Sequence, residues 1–218
     1  AVDGIIRVLK AAQKAHVKRV VMTANFGGVG FSKKIGQSVT TEADWTNINE
    51  PGLSLYEKSK AIAERRAWKF VAEQNHPFEF VTVNPVAILG KSMNQHVSGS
   101  FGIIKNILTG SMKLIPNIEL NVVDVRDVAK IHLLAMTTPK ANGHRFIASA
   151  DGKISMPEIA ELIKTQRPEL AKKVPNHVMP DWLIKSAATF SRQAKEGKLM
   201  LAMNRNVRTD ATKQNLGW

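Results

Sequence analysis

The sequence predicts an α/β fold in which parallel strands are covered by helices. Two observations carry this. Segments of helical and strand period alternate along the first ninety residues, in the order helix, strand, helix, strand. The strand segments, Arg19-Val20-Val21-Met22-Thr23 and Phe78–Leu89, are apolar runs of the kind that parallel sheets bury under helices.

The elements follow in chain order. Val2, Ile5, Ile6, Val8, Leu9 and Ala12 keep helical spacing from the first residues. Residue 1 is Ala, and a domain that opens inside an amphipathic helix implies a segment upstream. Arg19–Thr23 is a strand leading into Ala24-Asn25-Phe26-Gly27-Gly28-Val29-Gly30, a glycine-rich turn. Residues 32–54 are polar and irregular. A helix then runs from about Leu55 to Gln74, with Ile62, Ala63, Ala67, Phe70 and Val71 on its apolar side and Asn75, His76 and Pro77 closing it. Phe78–Leu89 reads as one buried strand that meets Pro85 near its end. Beyond Gly90 come a loop rich in Ser, Gly and Asn, a helical stretch Ser100–Leu108, a strand Leu120–Val123, a helix Val125–Met136 and a strand Arg145–Ala148. Ser155-Met156-Pro157-Glu158 spells a capping box that opens a helix to about Thr165. Pro180–Glu196 reads as one more helix. Met179, Trp182, Leu183 and Phe190 are assigned to the core there in preference to a pocket lining.

Composition excludes several classes. Hydrophobic residues make up 44% and charged residues 22%, the balance of a globular rather than a disordered chain. No apolar run approaches the ~18 residues of a transmembrane helix. The absence of cysteine excludes disulfides, thiolate metal sites and a cysteine nucleophile, and suits a reducing, cytoplasmic setting. The six histidines show no metal-ligand spacing, so no metal is expected. A net charge of +13 invites a polyanionic partner. The basic residues are scattered, though, and their short clusters at Lys14 to Arg19, Arg65 to Lys69 and Lys172-Lys173 carry no interleaved stacking aromatics. Nucleic acid is therefore not the expected partner, whereas a phosphate-bearing small ligand would use the same field.

Tyr56 and Lys60 carry the chemistry. On a helix, positions i and i+4 share one face about 5–6 Å apart at Cβ. A free phenol titrates about three units above neutral pH, so a tyrosine that passes a proton near pH 7 needs a positive neighbour. A lysine supplies that charge and keeps donors free for a ribose hydroxyl. The pair reads either as a general acid with its tuner or as a packed ring beside a solvated lysine.

Their context decides between these. The sequence resembles the extended short-chain dehydrogenase/reductase family, within the epimerase/dehydratase superfamily, on five markers in order: Arg19 to Thr23 before the turn; Tyr56 to Lys60; Asn84-Pro85-Val86-Ala87-Ile88-Leu89-Gly90; Val123-Asp124-Val125-Arg126-Asp127-Val128-Ala129; and Thr209-Asp210-Ala211-Thr212-Lys213-Gln214-Asn215-Leu216-Gly217-Trp218. The details look like the dihydroflavonol reductase, cinnamoyl-CoA reductase and aldehyde reductase branch. The resemblance implies a Rossmann-type doubly wound parallel sheet, here without its first strands, and a small C-terminal substrate-binding lobe. Residues 1–90 would belong to the dinucleotide-binding domain and 91–218 mainly to the lobe, with segments of about 120–150 returning to the sheet.

The resemblance further implies hydride transfer from NADPH or NADH to a ketone or aldehyde carbonyl. Tyr56 would donate the proton and Lys60 would bind the nicotinamide ribose. Thr23, Ala24, Pro85, Val86 and Ser100 would border the cofactor; Phe26 and His96 would face a small carbonyl substrate. Asp124 and Asp127 would serve a helix start. A homodimer joined through helices such as 1–14 and 55–74 would follow.

Two departures stand out. Asn25 occupies the place of the family's Ser or Thr, where its amide either donates to the carbonyl or only serves the turn. The glycine-rich fingerprint that holds a pyrophosphate is absent, and Gly27-Gly28-Val29-Gly30 follows the wrong strand to replace it. The expectation is the C-terminal two-thirds of a reductase, with weak cofactor binding by the chain alone. A nucleotide-sugar epimerase or dehydratase is disfavoured, because Phe80-Val81-Thr82-Val83 lacks the expected Arg and Leu55 replaces a Pro before Tyr56. A non-catalytic cofactor binder would have no use for Tyr56 and Lys60.

Overall fold

A computed structural model describes residues 1–93 and 99–218. Helix α1 (Val2–Lys14) buries Leu9 and Ala12 and packs on α2 (Leu55–Glu73). Between them lie strand β1 (Arg19–Thr23) and a loop opened by a 3-10 turn, Phe26–Gly28. After α2 come β2 (Glu79–Pro85), β3 (Ala87–Leu89), α3 (Phe101–Thr109), β4 (Ile115–Pro116), β5 (Glu119–Leu120), β6 (Val122–Asp124) and α4 (Val125–Thr137). The chain continues through β7 (Arg145–Ala148), β8 (Ile154–Ser155), α5 (Met156–Gln166), β9 (Val178–Met179), α6 (Asp181–Ala187), α7 (Arg192–Ala202) and α8 (Asp210–Leu216).

Strands β1, β2 and β7 form a parallel sheet with β2 in the middle. Side chains alternate across it. Phe78 and Phe80 pack with Leu9, Phe70 and Val71 under α1 and α2. Val81 and Val83 pack with Ile131 and Ala135 of α4 on the other face. With helices on both faces, β2 is apolar or hydrogen-bonded throughout, which is why it reads as a continuous buried run. A separate cluster around Ile107, Ile115, Leu120 and Ile159 forms the core beneath α3 and α5.

The boundaries of α1, β1, α2, α4 and β7 match the sequence reading within a residue or two. Three predicted elements are broken. Phe78–Leu89 is two strands, because the backbone changes partner after Pro85: Val86 N donates to Ala148 O at 3.1 Å and Ala87 N to Asn121 O at 3.3 Å. Leu120–Val123 is split at Asn121, where β5 pairs antiparallel with β8 and β6 pairs parallel with β3. Pro180–Glu196 is two helices, since the chain reverses at residues 188–191 and α7 packs back on α6. Ser191 Oγ caps the second helix by accepting from Ala194 N at 3.4 Å, and a Cβ added to Gly197 would lie 3.1 Å from Ile184. The core assignment of that region also needs correction. Trp182 and Phe190 are 63% and 95% exposed.

The capping box forms as written. Glu158 N donates to Ser155 Oγ at 3.2 Å, and Ser155 N donates to Glu158 Oε2 at 2.7 Å. Among the described residues no helix is long and apolar enough to cross a membrane, and no group of three or more His, Asp or Glu could hold a metal ion.

Candidate active site

The site lies where β1 and β2 end and α2 begins. Ala24 N donates to Val83 O at 2.7 Å, which carries the β1–β2 ladder one step further and delivers Asn25 at the sheet's C-terminal edge. Asn25 is extended, with φ −158° and ψ 142°, and its Oδ1 accepts from Gly27 N at 2.6 Å. An N–H must meet the oxygen, so Nδ2 is the end left over. No described residue pairs with it. The oxygen of the side chain therefore holds the turn, and its amide N–H groups have no partner among the described residues.

A buried charge network braces this residue from below. Asn84 Nδ2 donates to Asn25 O at 3.3 Å and to Glu64 Oε2 at 2.8 Å. Glu64 is fully buried; it also accepts from Thr82 Oγ1 at 2.9 Å and from Arg145 Nε and Nη2 at 2.8 and 3.2 Å. Arg145 Nη1 donates to the carbonyls of Glu42 and Asp44 at 2.8 and 2.6 Å, and its guanidinium lies 3.6 Å from the Trp45 ring centroid. The turn's glycines serve this packing. A Cβ at Gly27 would lie 2.6 Å from Asn25 Oδ1, one at Gly28 would lie 2.7 Å from Glu64 Oε2, and one at Gly30 would strike the Phe26 ring. These positions make room for protein groups rather than for a phosphate.

Ser54 caps α2 by accepting from Glu57 N at 3.3 Å, which sets Tyr56 in the first turn. Tyr56 is 57% exposed, and Lys60 Nζ sits 5.4 Å from its ring centroid. Neither the Tyr56 hydroxyl nor the Lys60 ammonium has a hydrogen-bond or ion-pair partner among the described residues. Glu57, beside them, has its carboxyl held above the usual range by burial, with a further push from Glu196. Thr23 Oγ1 lies 2.8 Å from His132 Nε2. His132 Nδ1 lies 2.8 Å from the Val128 carbonyl and donates to it.

These residues border one cavity of about 630 Å³. Thr23, Ala24, Asn25 and Phe26 line it from the end of β1, Tyr56 and Lys60 from α2, Pro85 and Val86 from the end of β2, and Ser100 from the start of α3. His96 lies outside the described residues. Asp124, as expected, caps α4 by accepting from Arg126 N at 2.8 Å; its hydrogen bonds to Arg126 hold its carboxyl down at about 2. The sequence reading missed Leu120, Asn121, Met200 and Arg205, which line the same cavity. Asn204-Arg205-Asn206 carries no motif that separates it from the chain's other basic positions.

Comparison with known proteins adds a family. Over 190 residues the chain is 32% identical to anthocyanidin reductase ((2S)-flavan-3-ol-forming) of Vitis vinifera, an alignment covering 80% of this chain and 54% of that protein. It is 32% identical over 183 residues to cinnamoyl-CoA reductase 1 of Arabidopsis thaliana, covering 83% and 50%. The chain thus spans about half the length of the curated relatives it matches. The crystal structure of Gre2 in complex with NADPH from Candida albicans superposes with a TM-score of 0.75 at 26% identity, over all of this chain and 64% of that one. Residues 1–149, which run from α1 through β7 and include the tyrosine–lysine pair, match a single family model, and the chain belongs to the NAD dependent epimerase/dehydratase family.

Proposed function

We propose that the whole protein reduces a ketone or aldehyde with a nicotinamide cofactor, and that Tyr56 is the proton donor. One observation supports this above the rest: the Tyr56 hydroxyl, the Lys60 ammonium and the Asn25 amide N–H groups are donors without partners among the described residues, and all three residues border one cavity. Apolar walls with a few convergent donors are the usual make-up of a small-molecule site.

The donor set fits the nicotinamide–ribose half of a dinucleotide. Lys60 offers three N–H bonds to ribose hydroxyls, while Pro85, Val86 and Phe26 offer apolar surface to a ring. The NADPH of the Gre2 complexes favours NADPH over NADH. When bound, the nicotinamide supplies the hydride to the carbonyl carbon. Tyr56 holds its proton at Oη and passes it to the carbonyl oxygen. Lys60 attracts the negative charge left on the phenolic oxygen. Asn25 donates from Nδ2 to that same carbonyl oxygen as charge builds on it. On this reading residues 1–90 and the returning segment of about 120–150 form the cofactor side, and the rest of 91–218 forms the substrate side.

Tyr56→Phe in the full-length protein tests this. Turnover of NADPH with a carbonyl substrate falls by ~10²–10⁴-fold, the range for losing a general acid. The unfolding midpoint stays put, because only an exposed hydroxyl is removed. Lys60→Met weakens cofactor binding and shifts the pH–rate profile together. Near-normal turnover in Tyr56→Phe would remove the tyrosine from this role.

A further inference from the structure

Two residues that line the same cavity, Arg205 and Asn121, have no place in that scheme. Arg205 is 7% exposed, yet no carboxylate is paired with it among the described residues. Its Nη2 donates to Met200 O at 3.3 Å and contacts Met200 Sδ at 3.7 Å. Its Nε is enclosed without a partner, and Nη1 donates to no described residue. The carboxylate whose field reaches it, Glu119, is held instead by Lys153 at 2.8 Å. Burial lowers Arg205 to about 10, so the guanidinium is charged at neutral pH.

Asn121 is 4% exposed. Its Nδ2 donates to Gly152 O at 3.1 Å and to Arg205 O at 3.0 Å, which fixes the amide's orientation and leaves Oδ1 enclosed without a donor. Arg205 and Asn121 both line the cavity that holds Tyr56.

An enclosed charge with no counter-ion is costly, and proteins normally pair it. Arg145 shows that this chain can do so. A guanidinium with no carboxylate partner, on a residue that lines a cavity, has the chemistry to receive an anion, and a planar carboxylate matches its fork. The single positive charge balances a single negative one.

We propose that Arg205 receives a carboxylate of the substrate, so that the protein acts on carbonyl compounds carrying a second, anionic end. This rests on the reductase reading for the carbonyl end; the carboxylate end stands on Arg205 alone.

The test uses the full-length protein with two aldehydes of similar size, 4-formylbenzoate and its methyl ester. Wild type favours the carboxylate in kcat/KM by about tenfold or more, the scale of one charge-assisted hydrogen bond. Arg205→Met brings the ratio near one, and Arg205→Lys keeps part of it. The ratio is taken within each variant, so general damage cancels. A binding readout runs beside it: millimolar benzoate, but not benzamide, raises the unfolding midpoint of wild type and not of Arg205→Met.

The outcomes separate the two ideas. If the esters and acids are reduced alike by wild type, the carboxylate subsite is overturned and the reductase reading survives. If neither aldehyde is reduced but benzoate still stabilises through Arg205, the subsite stands and the reductase reading falls. Arg205 also borders two outer clefts. Benzoate stabilisation without any charge preference in the kinetics would place the anion there and overturn the proposal. Stabilisation by phenyl phosphate but not benzoate would overturn the carboxylate assignment.

Discussion

Arg145 and Arg205 are both almost enclosed, and they differ in every other respect. The Arg145 side chain is 9% exposed and meets Glu64, two backbone carbonyls and the Trp45 face. Among the described residues, the Arg205 guanidinium meets only a carbonyl and a thioether of Met200. The first guanidinium has spent its donors on the fold, holding β7, α2 and the loop of residues 42–45 together beneath Asn25. The second keeps donors in hand beside a cavity. A buried charge whose partners are all supplied by the chain fixes structure. One whose partners are missing reserves a place for something from outside.

The largest expected effect would break this contrast if it failed. Glu64→Gln takes the counter-charge from Arg145 and weakens what Thr82 and Asn84 donate to. Stranding one partner of a buried pair costs about 3–5 kcal/mol. Urea denaturation should show that loss for Glu64→Gln, while Arg205→Met, which removes an unpaired charge, should change stability by under ~1 kcal/mol or raise it. Equal destabilisation by both would mean that Arg205 is as much a part of the framework as Arg145.

The next effect tests what the network holds in place. Asn25→Ala removes both the acceptor for Gly27 N and the free Nδ2 donor. Turnover should fall ~10²-fold, the effect of losing one oxyanion donor. Asn25→Ser, whose hydroxyl can accept from Gly27 or donate to a substrate, should recover part of it. Unchanged turnover in the alanine variant would confine Asn25 to the turn.

How much of this was legible in the sequence follows the same division. The Asn25, Tyr56 and Lys60 wall could be read because local rules build it. A buried strand run ends in a glycine-rich turn, and the i, i+4 spacing puts tyrosine and lysine on one helix face. Glycines 27, 28 and 30 were legible as a turn, but the Glu64 carboxylate that Gly28 makes room for was not, since Glu64 comes from α2 and reaches the turn only in three dimensions. The Arg205 and Asn121 wall carries no period and no motif. Asn121 sits where one apolar run changes partner from β8 to β3, and Arg205 follows a helix that the chain forms only after reversing at residues 188–191. The break after Pro85 has the same origin. Proline marked the spot, but the new partner for Ala87 comes from Asn121, 34 positions on, beyond any local signal.

The smallest effect sharpens the comparison from the opposite sign of charge. Glu57 borders the same cavity and, like Arg205, has no oppositely charged partner among the described residues. A guanidinium near pH 7 has no way to shed its charge, whereas a carboxyl can keep its proton. Burial does push the Glu57 carboxyl above its ordinary 4.5, and Glu196 adds to the push. The folded protein then binds more protons than the unfolded chain between the ordinary and the raised value, so wild-type stability declines as pH rises through that window. Glu57→Gln removes the titration and keeps the shape. It should therefore be more stable than wild type at neutral pH, and the advantage should vanish below about pH 4, where both side chains are neutral. Thermal unfolding of the two proteins across pH 3.5–8 measures this difference directly. An advantage that is the same at every pH would mean that glutamine improves packing there, and that the unpaired carboxyl carries no electrostatic cost.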